Sequence, residues 1–510
     1  MKHRIIWHFP FPTLLLLVLI AASCKKVIVT PEPPREATNQ VVTVYDTVIV
    51  TDTIHVQDTT YYTDTVTYTD TLHIIDTIRH IDTIRYVDTI RTTVTDTVRI
   101  VDTIKVYDTI RVTIPTTPNV VPPDGEGVLV GNGSGNLTIT ASTLSGSSSK
   151  TIRIREGTYS TITIQNIAGT ADAPITITNA GPIAIQQVME TRDIDHVIIS
   201  GNGSGNNDYG FTFSNLSYRA IRMYGKMNGV TIRNMSFRNI GDYCIAGEAN
   251  NGRNLSYDGT AATRTERFKI LNCLFDNTGS IVFGGQLSRS GDTGFFKDVE
   301  IAYNTFQNSE AGNLVIFSNV QDYNIHHNIV EYVNQRNNAH NGIFLMHGNG
   351  HFHDNKLTNY QGNAIRAWVF SRGSSAATIE IYNNICYNSR KYSAFEIQEF
   401  SNQLVQGKTT FVNAKVYNNT AGKMNTSRDW QGQLLDLYNN SGTLAYYNNL
   451  GFELYSSDSY KPVTDMINNM GSTKIVEKAN NQYYASQSDA INNATSFVSK
   501  HSNIGASLDL

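Results

Sequence analysis

The sequence predicts an all-β protein, a stack of parallel coils preceded by an extended repeat stalk, and three observations carry that prediction. A six-residue repeat runs from Asp46 to Asp108 without helical periodicity. A looser repeat, each copy carrying an Asn, recurs eight times between residues 229 and 451. The composition (37 Gly, 27 Tyr, only 16% charged residues) favours strands and turns over long surface helices. A chain of 510 residues suffices for one large domain plus accessories. A net charge of -4 and a pI near 6.4 give no electrostatic basis for a nucleic-acid partner.

The first residues read as an address. Lys2 and Arg4 open a basic start, Leu14 to Ile20 form an apolar run, and Ala21-Ala22-Ser23 precede Cys24 and two lysines. The apolar run is too short to span a membrane comfortably. The pattern resembles a bacterial lipoprotein signal, which implies a signal peptide over 1–23, lipidated Cys24, a linker over 24–45 and a lipid-anchored place at the outer membrane or cell surface of a Gram-negative type cell. An ordinary secretory signal is the alternative, because lipoprotein signals more often carry Leu where Ala21 stands. Cys244, Cys273 and Cys386 are odd in number and lack paired spacing, so they read as buried single thiols rather than a disulfide framework or zinc site.

The stalk (46–112) repeats Asp-Thr-hydrophobe, as in DTIRHIDTIRYVDTI. Asp recurs every six residues from Asp46 to Asp88, then at Asp96, Asp102 and Asp108. Six is a multiple of two, so each column keeps to one face of an extended strand. A lone strand would leave its edges unpaired. The expectation is therefore self-pairing, coiling or assembly with other copies, or else an extended tether reaching on the order of 230 Å. A spacer between lipid and working domain is the favoured role. TIPTTPNVVPPDGEG (113–127) is a Pro/Gly hinge and domain boundary.

The second repeat aligns GVTIRNMSF, FKILNCLF, VEIAYNTF, YNIHHNIV, GHFHDNKL, IEIYNNIC, AKVYNNTA and LAYYNNLG. In each copy the alternating inward residues are followed by Asn (Asn234, Asn272, Asn304, Asn328, Asn355, Asn384, Asn419 and Asn449), at intervals of 24 to 38. That length holds three short strands and three turns, and stacked coils pair their strands in parallel. Asn tolerates the left-handed turn conformation, and its amide bonds to turn backbone above and below, so a column of Asn forms a self-satisfying ladder. The pattern resembles the right-handed parallel β-helix of pectate lyases and their relatives over about 128–470. Residues 471–510 break the rhythm and read as a C-terminal cap with a short helix in SQSDAINNATSFVSK. The opening GTYSTITIQNIAGTADAPITITNAGPIAI (157–184) is similar to first coils of the alginate lyase and chondroitinase B family.

After each Asn a strand returns on another face, aligned as IVFGGQ (281), LVIFSN (314), IFLMHG (343), IRAWVF (365), FEIQEF (395) and LDLYNN (435). The second column reads Val282, Val315, Phe344, Arg366, Glu396 and Asp436; the fourth reads Gly284, Phe317, Met346, Trp368, Gln398 and Tyr438. Aromatic plates beside carboxylates and Arg suit a sugar chain, against the alternative of charges that merely compensate one another on an exposed sheet. Trp368, Glu396, Gln398, Glu399 and Asp436 are the candidate substrate-binding residues, and His347, Arg366 and Tyr438 the candidate catalytic ones.

The histidines of HNGIFLMHGNGHFHDN (340–355) divide. His351 and His353 point outward with His326 stacked on His353 and Glu380 beside His351. This set is compatible with a metal but reads better as the plain alternation of a solvent-facing strand, so no metal site is assigned. His347 belongs with or beside Trp368 and is a candidate base. The lyase resemblance implies a Lys base and an Arg acid, yet Val320 and Met346 occupy the matching positions of IFSNVQ and LMHGNG. No cofactor is read from the residues; calcium is implied by the family resemblance only. The paired Asp residues that polygalacturonase-like hydrolysis needs are not in matching places.

The sequence thus points to a lipid-anchored surface protein whose β-helix binds an extracellular polysaccharide, with uronate β-elimination as the chemistry if it also cleaves. The rival is a non-catalytic β-helix adhesin or structural surface protein. Replacing Cys24→Ser tests the anchor: the protein is expected to leave the membrane fraction with its 120–510 fold intact, and unchanged partition would show that another segment holds it.

Overall fold

The computed structural model describes residues 127–508 apart from 205–208, 249–255, 289–290, 373–375, 401–411, 458–465 and 472, together with the backbone of eleven short strands between Val42 and Thr113. The signal segment, Cys24 and most of the hinge lie outside the described residues. The chain divides into two compact units, Met1–Val121 and Pro122–Leu510.

In the first unit the repeat is coiled. Val42 pairs with Thr60, Val48 with Val66, Ile54 with Leu72, and Leu72 with Ile90, all in parallel and all 18 residues apart. Three hexapeptides therefore make one coil, and strands one coil apart fall in the same sheet. The eight-residue interval between Asp88 and Asp96 shows directly in the register, since Lys105 pairs with Arg85 and Ile110 with Ile90, 20 residues apart. The reach expected of a fully extended tether does not apply. Pairing satisfies the strand edges, and each 18-residue coil advances only about 4.8 Å.

The second unit is an all-β, right-handed parallel β-helix. One coil shows the plan: Ala377–Tyr382 lies in a first strand column, Ile385–Ser389 in a second and Phe395–Glu399 in a third. The next coil repeats it as Val412–Tyr417, Thr420–Met424 and Leu435–Asn439, each pairing in parallel with its predecessor. Alternation places one set of side chains inside. Ile232, Ile270, Ile301, Ile325, Phe352, Ile381, Val416 and Tyr446 stack in consecutive rungs of the first column, all fully buried. In the second column Phe213, Phe237, Phe275 and Phe306 stack ring on ring at 4.9, 5.0 and 4.7 Å. Cys244, Cys273 and Cys386 are free, buried thiols within this interior.

The Asn ladder occupies the turn between first and second columns. Asn304 Nδ2 donates to Asn328 Oδ1 at 3.1 Å, and the chain of amides continues through Asn355, Asn384, Asn419 and Asn449 to Asn481 at 2.8 to 3.1 Å. Each amide also donates to a backbone carbonyl of the preceding coil, as Asn355 does to Ile325 O at 3.0 Å. Two expected members stand elsewhere. Asn234 and Asn272 have φ of 55° and 52°, in the left-handed position filled in later coils by Tyr303, His327, Asp354 and Asn383. They lie two residues after the inward Ile232 and Ile270, whereas true ladder members lie three after theirs, as Asn304 does after Ile301. Met235 and Cys273 hold the ladder place in those coils, and Cys273 N donates to Asn304 Oδ1 at 2.9 Å.

The coil rhythm continues beyond residue 470. Lys474–Ala479 and Gln482–Tyr484 add rungs to the first and second columns. A short helix, Gln487–Ala490, follows as expected, but the segment after it lies along the outer face of the second column. Ala490, Ile491, Phe497, Ile504 and Ala506 cover Ile385, Leu450 and Phe452, and Ser507 N reaches back to Asn383 Oδ1 at 2.7 Å.

Replacing Asn355→Leu strands Asn328 N–H, Asn328 Nδ2 and two backbone carbonyls in an apolar interior, and is expected to cost about 3 kcal/mol or more. Asn272→Gly keeps the left-handed turn and is expected to change stability by a few tenths of a kcal/mol. Denaturant midpoints of the two variants check this, and equal midpoints would refute the ladder's membership.

Candidate functional site

The strand register corrects the third-column alignment. Val282 pairs with Ile316, Ile316 with Leu345, Leu345 with Arg366, Arg366 with Glu396, and Glu396 with Asp436. Val315 and Phe344, expected in this column, are buried core residues, as are Phe317 and Met346. The expected strands were started one residue early, and a one-residue slip exchanges the two faces. His347 pairs with Trp368 and Trp368 with Gln398, so His347 takes the place assigned to Met346. Val320 and Met346, at the positions matching the lyase Lys and Arg, both point into the core.

The register does bring Arg366, Glu396 and Asp436 onto consecutive rungs, but not as an exposed stack. Glu396 is 0% and Asp436 1% exposed. Arg366 Nε donates to Glu396 Oε1 at 2.6 Å, and His340 Nε2 lies 2.8 Å from Glu396 Oε2. Arg366 also donates to His340 O at 2.9 Å. His340 stacks on Tyr392 at 4.1 Å and belongs to the turn between second and third columns, whose loops fold over the carboxylates. Neither Asp436 oxygen finds a partner of full hydrogen-bond geometry, although Ser393 and Asn468 lie near enough to favour the anion. Burial, reinforced by the Glu396 charge, lifts the Asp436 carboxyl to about 7.

The remaining candidates surround this cluster. Trp368 is half-buried, stacked on His347 at 4.8 Å and tilted against Phe400 at 5.3 Å, with Arg366 Cζ 5.4 Å from its ring centroid. It is not the exposed plate the sequence suggested. Burial lowers the His347 imidazole to about 4. Tyr438 sits at a register shift between the paired Ile397–Leu437 and Gln398–Asn439, and burial with the nearby carboxylates lifts its hydroxyl to about 12. Gln398 is half-buried beside Trp368, and Glu399 accepts from Asn439 Nδ2 at 2.6 Å.

The outward histidines form a ring ladder on the first column: His326, His353, Tyr382, Tyr417 and Tyr447 stack at 4.6 to 5.0 Å. The expected stacking of His326 on His353 and the pairing of His351 with Glu380 are both present. His353 places Nδ1 2.5 Å from Asp354 Oδ2 and Nε2 2.8 Å from Asn324 Oδ1. Among the described residues no group of three or more His, Cys, Asp or Glu is arranged to hold a metal ion.

The sequence alignment missed aromatic residues at the ends of second-column strands and in the turns that lead to the third column: Tyr332 lies in the strand Ile329–Val333, and Tyr218, Tyr243, Tyr392 and Trp430 lie in the turns. Tyr218, Tyr243, Tyr332 and Trp430 are 48, 41, 48 and 39% exposed, with Tyr392 half-buried among them. They come from coils whose second-column strands run from Phe211–Leu216 to Thr420–Met424, seven rungs apart, a span of about 34 Å at strand spacing. Between Tyr243 and the 337–341 loop this edge opens into a groove of about 560 Å³, lined by Asp242, Tyr243, Ser280, Glu310, Asn313 and Asn341 among others. The signal was present in SNLSYR, NIGDYC and NSRKYS, where a Tyr follows each turn Asn.

Fold and surface together define a parallel β-helix protein with exposed aromatic rings along the turn edge and a buried carboxylate cluster behind it. No protein-family description matches the chain, and no curated protein does. Among solved structures the chain is similar to one described as the catalytic domain of a GH87 alpha-1,3-glucanase in complex with tetrasaccharides, at 12% identity and a TM-score of 0.29, over 78% of this chain. The match spans 63% of that structure's length.

Asp436 generates a pH test. Its folded-state pKa is raised, so its contribution favours the fold below the usual carboxylate pKa and is lost as pH rises through about 7. Relative to Asp436→Asn, the natural protein is expected to lose stability between about pH 4 and 7, by a few kcal/mol in order of magnitude. Parallel unfolding curves of the two proteins across that range would show that Asp436 is ionised throughout.

Proposed function

We propose that the β-helix binds an extracellular polysaccharide along the turn edge between its second and third columns, on a protein anchored at the outer membrane through Cys24. The observation that supports this most is the row of exposed rings at Tyr218, Tyr243, Tyr332 and Trp430, continued by Tyr392 and interrupted by a polar groove. Rings spaced along a rigid edge match a linear glycan, whose apolar faces stack while its hydroxyls meet amides and serines.

Binding without β-elimination is the form of this reading that the geometry favours. Elimination on a uronate needs a cation to neutralise the substrate carboxylate and a base matched to the operating pH. Arg366 already serves Glu396, the lowered pKa of His347 makes it a weak base, and the raised pKa of Tyr438 keeps its hydroxyl protonated.

Affinity electrophoresis of the protein through a panel of neutral and uronate polysaccharides tests the reading, with unsaturated-product absorbance followed on the same samples. Retardation by at least one polysaccharide is expected, with no absorbance change. Trp430→Ala and Tyr243→Ala should each weaken binding roughly five- to tenfold, the equivalent of about 1 kcal/mol per lost ring contact. A protein that no polysaccharide retards, or whose two variants bind as it does, would remove the turn edge as the site.

A further inference from the structure

The lining of the turn-edge groove bears on which sugars it accepts, an inference that rests on the glycan-binding reading above. Among the described residues the groove is lined by two carboxylates, Asp242 and Glu310, and by no Lys, Arg or His. Two arginines among the described residues pair with these acids. Arg219 Nε donates to Asp242 Oδ2 at 3.2 Å, and its guanidinium lies 5.3 Å from the ring centroids of both Tyr218 and Tyr243. Arg336 N donates to Glu310 Oε2 at 3.1 Å, with Arg336 Nε 3.6 Å from the other oxygen. Farther along the edge Lys391 pairs with Asp429 at 2.6 Å, and Arg390 donates to Asn337 O.

The rest of the lining is amide, hydroxyl and glycine. Asn313 and Asn341 are linked by a 3.3 Å hydrogen bond, leaving a surface of mixed donors and acceptors. Gly279 and Gly312 keep the floor low: a Cβ on Gly279 would stand 2.0 Å from Asp242 O, and one on Gly312 would stand 2.7 Å from Asn341 Nδ2. A sugar unit seated here stacks on Tyr243 and exchanges hydroxyl hydrogen bonds with the amides. A uronate unit would bring its carboxylate against Asp242 and Glu310 and would have to compete with them for the guanidinium groups of Arg219 and Arg336 that already pair with them, so like-charge approach to the two acids disfavours it.

We infer that the groove selects an uncharged sugar unit, so that the polysaccharide recognised is neutral over the stretch that Tyr243, Asp242 and Glu310 contact.

The test is calorimetric titration of the full chain with neutral hexose hexasaccharides and with hexauronates of the same linkage, at low and high salt. Neutral chains are expected to bind at least about tenfold more tightly, with an affinity that salt leaves unchanged, because no net charge is neutralised on binding. Glu310→Gln, at an exposed position whose substitution leaves the core untouched, should narrow the preference for neutral over uronate chains severalfold at low salt by strengthening hexauronate binding. Tyr243→Phe should retain neutral binding and Tyr243→Ala lose it. Hexauronates that bind more tightly than neutral chains, with salt weakening them, would overturn the inference while keeping a glycan-binding protein. Indifference of hexauronate binding to Glu310→Gln would also overturn it. Failure of both glycan classes to bind would instead remove the glycan reading itself.

Discussion

Every surface feature of this protein depends on the rung-on-rung register of its parallel strands, and the buried Asn ladder is one of the interactions that holds that register. Each ladder amide bonds at once to the next amide, to a backbone N–H and to a carbonyl of the preceding coil, so no coil can slip by a residue without stranding several buried polar groups. The inner stacks of Ile and Phe supply apolar burial, but they are tolerant of sliding; amide bonding is not. Where the ladder lapses, at Met235 and Cys273, the stacked phenylalanines of the second column run through the same coils.

Register turns sequence-distant residues into neighbours. Arg366, Glu396 and Asp436 lie 30 and 40 positions apart yet occupy consecutive rungs. The loops of the adjoining turn bring His340 and Tyr392 over them, and this decides the chemistry of the cluster. Glu396 takes a hydrogen bond from Arg366 at Oε1 and has His340 close to Oε2, while Asp436 is the buried carboxyl that desolvation pushes toward neutrality. A charged column that would have read as a binding face on an open sheet becomes an internal network, and the exposed rings pass to the neighbouring edge.

The first unit applies the same pairing rule with a different coil. There the period of six fixes a coil of three hexapeptides, and the single eight-residue interval is absorbed as a two-residue offset in the register of the last strands. Coiling satisfies the backbone edges that an extended repeat would expose.

What the sequence by itself determined is the periodic part of the protein. Alternation and recurring Asn specify strands, parallel coils and an interior of Ile, Phe and Asn, because the same short-range pattern is repeated in every coil and errors in one copy are outvoted by the others. The ladder was legible from Asn304 onward, and it misplaced Asn234 and Asn272 only because an Asn also suits the adjacent left-handed position. Tertiary structure alone decided the rest. Which face Phe344 or His347 occupies turns on a single residue of register that apolar strands such as IFLMHG do not specify. Whether Glu396 is exposed depends on loops folding over it from the 337–341 and 390–393 turns. That Tyr218, Tyr243, Tyr332 and Trp430 share one edge follows from coil lengths that vary with each loop, so no fixed spacing in the chain announces it.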